Sequence, residues 1–338
     1  MRDVLCSRQL FEIVKIDMLK LLPVLSVLCF SAAAASAQDF PNRPVRFIVT
    51  FVPGGGTDIV ARMVGQKLGG LWNQQVIVDN RGGGGGVIGT QIAASSAPDG
   101  YTMLFGTSSG LVINPLLMDK LPYDPVKDFA PVTLLTTNAN MLVINAALPA
   151  NSVKDLIALA KAQPGKLTYA SAGEGSPSHL VMELFLSMTG AKMIHVPYKG
   201  AGQAVIDVVS GQLQATFNPI PPLLPHVKSG KLRALGVSSA QRSLAAPEVP
   251  TIAEAGVPGF EYVLWYSIFV PAKTPKPIIQ KINKDVATIL AQPDIKQRLI
   301  VVGADPRAST PEELARFMQD DTERLRKIIK AANIKPAQ

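Results

Sequence analysis

FVPGGGTDIVAR, residues 51–62, closes an apolar run that starts at Val45 and passes at once into a helical pattern. A strand, a glycine turn and a helix in that order aim the first turn of the helix beyond the strand end. Its amides lack partners there and carry about half a positive charge from the helix dipole. Such a turn receives an anion. A phosphate loop would need a lysine and a hydroxyl residue after the glycines. Here Gly54-Gly55-Gly56 runs instead into Thr57-Asp58, which suits a carboxylate held by amides. The bland alternative is a tight strand-to-helix turn in which Asp58 merely stabilises the dipole.

Outward from this stretch, strand-like and helix-like segments alternate. Strands are expected at 45–51, 74–80, 101–107, 166–173, in KMIHVPYKG, in LQATFNP and at 232–239. Helices are expected at 57–72, after the glycine run, and in SVKDLIALAKAQPG, HLVMELFLSMTG and AGQAVIDVVSGQ. The alternation predicts an α/β protein with parallel sheets. KDFAPVTLLTTNANMLVINA (127–146) is too long for one ordinary strand, and with the stretch from Leu232 to about Phe260 it marks two crossings between lobes. After YVLWYSIFVPA come three helices, the last opened by a Thr310-Pro311-Glu312-Glu313 capping box. Two lobes with the chain passing out and back leave a cleft for a ligand.

Met18 to Phe40 reads as an export signal: Lys20, an apolar run Leu21–Phe30, and an Ala35-Ser36-Ala37 cleavage site. The run is shorter than the ~20 residues of a membrane span. Residues 1–17 are a polar extension that no signal needs, so translation is expected to start at Met18. Leu28 is not the small residue that lipid attachment at Cys29 would want. Both cysteines, Cys6 and Cys29, precede the cleavage site, which removes thiol chemistry, disulfides and cysteine-bound metal from the mature chain. Removing residues 1–37, with four basic and three acidic residues, takes the net charge from +8 to +7. The basic residues are dispersed, which with secretion argues against nucleic acid and for small anions or plain solubility.

Three other motifs compete for chemistry. RGGGGGVIG satisfies a dinucleotide fingerprint at Gly84, Gly86 and Gly89, but Asp99 is fifteen residues on, in a turn before the next strand rather than at its end. A flexible or left-handed loop is the better reading. GTSSG (106–110) satisfies the nucleophile elbow of a serine hydrolase with Ser108, but Pro115 interrupts the helix that should follow. Thr107, Ser108 and Ser109 then offer hydroxyls at a strand end facing the cleft. SAGEGSPSHL (171–180) repeats the opening theme, with Gly173, Gly175 and Ser176 expected to present free amides at a second helix start. His179, His195 and His226 have no metal-ligand spacing, so neither metal nor cofactor is expected.

FVPGGGTDIVAR, DNRGGGGGVIG, APDGYTMLFGTSSGLVINP, LPYDPVKDFAPVTLL, YASAGEGSPSHL, HVPYKG and ALGVSSAQRS occur in this order. Together they closely resemble the periplasmic solute-binding proteins of tripartite tricarboxylate transporters, the TctC or Bug-type receptors, from about Pro41 to the C-terminus. The resemblance implies a type II periplasmic-binding-protein fold: two α/β lobes joined by two crossing strands, with a ligand cleft between. It implies lobe 1 at 39–138 and 260–338, lobe 2 at 139–259, and a cleaved N-terminal segment at 1–37. It implies a non-enzymatic, monomeric receptor in the periplasm of a Gram-negative cell that binds a small carboxylate and meets membrane permease components. Carried over, the ligand contacts are Phe51, Pro53, Gly54, Gly55, Gly56, Thr57 and Asp58 on one lobe, and Ala172, Gly173, Gly175 and Ser176 on the other. Thr107 and Ser108 become wall residues, and Asn218 in ATFNP a further contact. Where the family usually has Asn-Arg-Pro-Gly-Ala-Gly-Gly this chain has Asn80-Arg81 and five glycines, and Glu174 holds a variable position. The alternatives are a ligand sensor feeding a signalling kinase and a secreted α/β hydrolase using Ser108.

Overall fold

Strand β1 (Val45–Val49) lies between β2 (Val76–Asn80) and β3 (Thr102–Thr107), parallel to both. In the computed structural model, which describes residues 40–198 and 200–331, Val45, Phe47, Ile48 and Val49 are fully buried. Burial on both faces explains an apolar run with no alternation. Helix α1 (Gly56–Trp72) buries Val60, Ala61, Val64 and Leu68 and ends at Asn73, whose left-handed backbone (φ 50°) lets its amide bond Gly69 O. The expected left-handed glycine loop is present: Gly83 to Gly86 all have positive φ, and α2 (Val87–Ala94) follows. After β3, a five-residue π-type turn (Ser109–Ile113) and the short α3 (Asn114–Leu117), with Pro115 in its first turn, replace the long helix a nucleophile elbow would need.

The segment expected to be too long for one strand is one strand, β4 (Phe129–Asn145), of 17 residues. Its register against β9 (Val263–Pro271) shifts at Pro131/Thr133 and at Leu134/Thr136, and such bulges bend a strand without ending it. Through Ala139 it pairs with β9. From Asn140 it pairs instead with β7 (Ala215–Pro219), and from Met141 with β8 (Leu232–Val237). One strand thus belongs to two sheets. The first runs β2-β1-β3-β9-β4, with β10 (Asp305–Pro306) on the outer edge of β4. The second runs β8-β4-β7-β5-β6, where β5 (Thr168–Ser171) is parallel to β6 (Ile194–Pro197) and β7.

The expectation of parallel sheets therefore needs correcting. The β3–β9, β4–β9, β4–β7 and β4–β8 pairs are antiparallel, because the chain crosses out on β4 and returns on β9. The return is tied to the crossing: Ser238 N–H donates to Asn140 O at 2.8 Å and Tyr262 N–H to Ser238 O at 2.7 Å. The Ser238 hydroxyl accepts from Asn140 N at 2.9 Å and donates to Tyr262 O at 2.6 Å.

Around the second sheet lie α4 (Val153–Ala162), α5 (Pro177–Thr189), α6 (Ala201–Val209) and α7 (Ile220–Lys228). No helix is expected from sequence over α7, since Pro221, Pro222 and Pro225 obscure it. The first two occupy opening positions, where a missing N–H costs nothing. Three helices close the chain as expected: α8 (Lys276–Leu290), α9 (Pro293–Val301) and α10 (Pro311–Ala331). The capping box forms, with Glu313 N–H donating to Thr310 Oγ1 at 3.1 Å and Thr310 N–H to Glu313 Oε2 at 2.9 Å. Leu314, Leu325 and Ile328 are buried, and Trp265 of β9 donates to the buried Asp321 at 2.8 Å, which fixes α10 to the crossing strand. No helix among the described residues is long and apolar enough to cross a membrane.

Candidate functional site

The turn between β1 and α1 is held from behind. The Asp58 side chain is buried and accepts from Gly54 N at 2.9 Å, from Arg62 Nε at 3.0 Å and from Asn80 Nδ2 at 3.0 Å. Asn80 Nδ2 also donates to Phe51 O at 3.0 Å. Burial works to raise the Asp58 carboxyl, but the bonds from Arg62, Gly54 and Asn80 outweigh it and hold the group below the usual carboxylate range. Asp58 is thus committed to shaping the turn. The amides at the start of α1, those of Gly56 and Thr57, have no carbonyl one turn earlier to bond.

A cavity of about 320 Å³ opens beside that helix start. Of the residues expected at the ligand, Phe51, Gly55, Gly56, Thr57, Thr107 and Ser108 line it together. They come from two loops that the parallel β1–β3 pair sets side by side. Pro53 and Gly54 are exposed near by but do not line it. Ser109, whose hydroxyl was expected with those of Thr107 and Ser108, lines it too, and sequence reasoning missed three lining residues: Val52, Leu264 and Tyr266. The last two lie on β9, whose place beside β3 no local motif signals. The Tyr266 ring packs on Phe105 with centroids 5.1 Å apart, and its hydroxyl is 3.5 Å from where a side chain on Gly56 would begin. Burial, partly offset by a bond with Asn138, pushes that phenol up to about 12, so it is neutral at physiological pH.

The second loop is built differently from its expectation. Its amides are not free. Ala172 N–H donates to Ser178 Oγ at 2.8 Å, Gly173 N–H to Ser171 Oγ at 3.1 Å, Gly175 N–H to His179 Nδ1 at 3.0 Å and Ser176 N–H to Gly173 O at 3.2 Å. The Ser176 hydroxyl donates to Gly173 O at 2.6 Å and caps α5 by accepting from His179 N at 3.4 Å. Gly173 and Gly175 need glycine, with φ of 132° and 67°. A side chain at Gly175 would begin 3.3 Å from Leu117 of α3, so this loop lies beside the turn that follows Thr107 and Ser108. Asn218, buried at the end of β7, donates to Thr216 Oγ1 at 2.7 Å and leaves its own Oδ1 without a partner.

Behind the second loop two of the three histidines meet, which their sequence spacing does not suggest. The rings of His179 and His195 stack with centroids 3.9 Å and planes 8° apart, and Tyr169 stacks on His195 at 4.9 Å. Glu174 joins them closely enough for three ligand atoms to lie within 4.8 Å of one another. Parallel rings keep their lone pairs in separate parallel planes, whereas a bound cation needs them to converge. His179 Nδ1 and His195 Nε2 are moreover engaged, the latter with Ser171 Oγ at 2.6 Å. Ser171 and His195 have the spacing of a nucleophile and its base, but Ser171 is fully buried and bonded to Gly173, out of reach of a substrate.

A family model described as the tripartite tricarboxylate transporter family receptor matches residues 60–334. Protein BugT of Bordetella pertussis (strain Tohama I) is 38% identical over 323 residues, covering 94% of this chain and 99% of that protein. Among solved structures, R. palustris Rpa4515 with adipate is 36% identical with a TM-score of 0.75, covering 88% of this chain and 100% of that one. MatC (Rpa3494) from Rhodopseudomonas palustris with bound malate is 32% identical with a TM-score of 0.69, covering 86% and 100%. The two sheets sharing β4 are the two lobes of the type II periplasmic-binding-protein fold. These proteins are substrate-binding receptors rather than enzymes. On the family match, the shared fold and the near-complete coverage, the chain belongs to the tripartite tricarboxylate transporter receptor family of Bug-type periplasmic solute-binding proteins.

Proposed function

We propose that the protein captures a small carboxylate in the periplasm, between lobes at 39–138 with 260–338 and at 139–259, and delivers it to the membrane components of a tripartite transporter. The observation that carries this reading is the cavity in which six expected residues from two separate loops surround the start of α1. A carboxylate seated there accepts from the Gly56 and Thr57 amides, helped by the dipole. Thr107 and Ser108 supply hydroxyls, and Phe51, Leu264 and Tyr266 cover the carbon chain. The adipate and malate held by the two R. palustris relatives are acids of this kind. Gly173, Gly175, Ser176 and Ala172 then close on the ligand from the other lobe, with β4 and the Ser238–Tyr262 return as the hinge. Residues 1–39, where the cleaved signal is proposed, lie outside the described residues.

The test is a thermal-shift screen of the chain beginning at Gln38 against aliphatic, amino and aromatic carboxylates, adipate and malate included. A ligand at a hundred times its dissociation constant adds ~2.7 kcal/mol, which raises the midpoint by roughly 5–10 °C. A hit that stays chemically unchanged on long incubation supports the receptor. No shift with any acid, together with ester hydrolysis that Ser108→Ala abolishes, would sink it.

A further inference from the structure

We propose that His179 is a positioning residue that holds the Gly173–Ser176 loop in shape only while its ring, stacked on His195, is neutral, so that mild acid releases this half of the site. The proposal rests on the receptor reading solely for the role of that loop.

The geometry is specific about the proton. Gly175 N–H donates to His179 Nδ1 at 3.0 Å, so that nitrogen is an acceptor and the neutral ring carries its hydrogen on Nε2, 3.9 Å from Glu183 Oε1. A proton arriving at Nδ1 sets two donors face to face, and the Gly175 amide must turn away. His195 packs on that ring and is fastened to the same loop through Ser171 Oγ. This hydroxyl accepts from Gly173 N–H and donates to Gly173 O, each at 3.1 Å. His195 Nε2–H is therefore the donor to it at 2.6 Å, and that bond survives a proton at Nδ1. With ring centroids 3.9 Å apart, the two imidazoles cannot both be charged cheaply.

The groups facing the pair come from four elements. β5 contributes Tyr169, whose hydroxyl donates to Glu183 Oε1 at 2.5 Å. The loop contributes Glu174, 3.9 Å from His195 Nδ1 but largely exposed. α5 contributes Glu183 and His179, and β6 contributes His195. The two carboxylates favour the charged rings, and burial opposes them and wins. Burial lowers His179 against the pull of Glu174. Burial and the charge of His179 lower His195 to about 4, against Glu174 and Glu183. An imidazole that is neutral in the fastened loop and ordinary when released favours fastening above its free value of about 6.5. That preference is eroded as pH falls below this value, through the lowered range of the fastened ring.

The experiment is a pH series from 7.5 to 4.5 on the ligand-free, isotope-labelled full-length mature chain, following the Gly173 and Gly175 amide signals and the histidine ring nitrogens by NMR. The expected result is that the Gly175 signal moves in step with His179, with both midpoints below 6.5. In His179→Asn, whose amide oxygen can replace Nδ1 as acceptor but does not titrate, the Gly175 signal stays put over the same range. A Gly175 signal that does not respond while His179 protonates would overturn the proposal. So would a Gly175 signal in His179→Asn that still moves as in the wild type. Should His179→Asn fold poorly, the wild-type series decides alone. Because no ligand is present, this result and that of the carboxylate screen fail independently.

Discussion

Asp58 shows how one side chain shapes a binding turn from behind. Its carboxylate pulls the Gly54 amide inward and is itself held by Arg62 and Asn80. Asp58→Asn keeps the shape but removes the charge, and should cost about 1–3 kcal/mol at pH 7 by urea denaturation. Because the native carboxyl titrates below its unfolded value, the difference from wild type should be complete above pH 4 and shrink as pH falls further. Tyr266 is the residue to change for specificity. Tyr266→Ala should shift preference towards bulkier acids by roughly tenfold, read by calorimetry, while Tyr266→Phe keeps the wall and the preference. The glycine turn and the strand-end hydroxyls were legible in sequence because local steric and dipole rules mark them. Leu264 and Tyr266 were not, since they reach the cavity only through pairing with a strand more than 150 residues away. The second loop misled for another reason: small residues promise free amides, but Ser178 and His179, on the next helix, consume them.

At the level of elements, the crossing is where sequence and structure part most. Periodicity identifies strands but not their partners, so β4 stood out only as too long for one ordinary strand and the sheets looked parallel. Apolar residues recur all along it, with Val132, Leu134, Leu135, Met141, Leu142, Val143 and Ile144 buried, because both sheets use it. α10 was readable to its capping box because its signals are confined to one turn. α7 was hidden by its three prolines. At the crossing itself, Ser238 satisfies Asn140 N and Tyr262 O with one hydroxyl while fully buried. Ser238→Ala leaves both without that partner and should lower stability by about 2 kcal/mol, measured by chemical denaturation with the slope unchanged. An effect under about 0.5 kcal/mol would mean that the backbone bonds alone hold the return.

For the whole molecule, the order of strands in the first sheet is not the order of synthesis. β9, made from residues 263–271, fills the gap between β3 at 102–107 and the front of β4. A chain ending at Pro250 has all of the second sheet's strands but lacks β9, which joins β3 to β4 in the first, and the edge strand β10. It should show no single cooperative thermal transition by circular dichroism, whereas the chain to Gln338 should show one. A sharp transition in the shorter chain would mean that β3 and β4 can close without their partner. The same placement sets how late in its own synthesis the chain can finish folding. Until residue 271 has emerged from the ribosome, the facing edges of β3 and the front of β4 stay open and the first sheet cannot shut, so for most of its synthesis the nascent chain carries two unpaired strand edges that other chains could join.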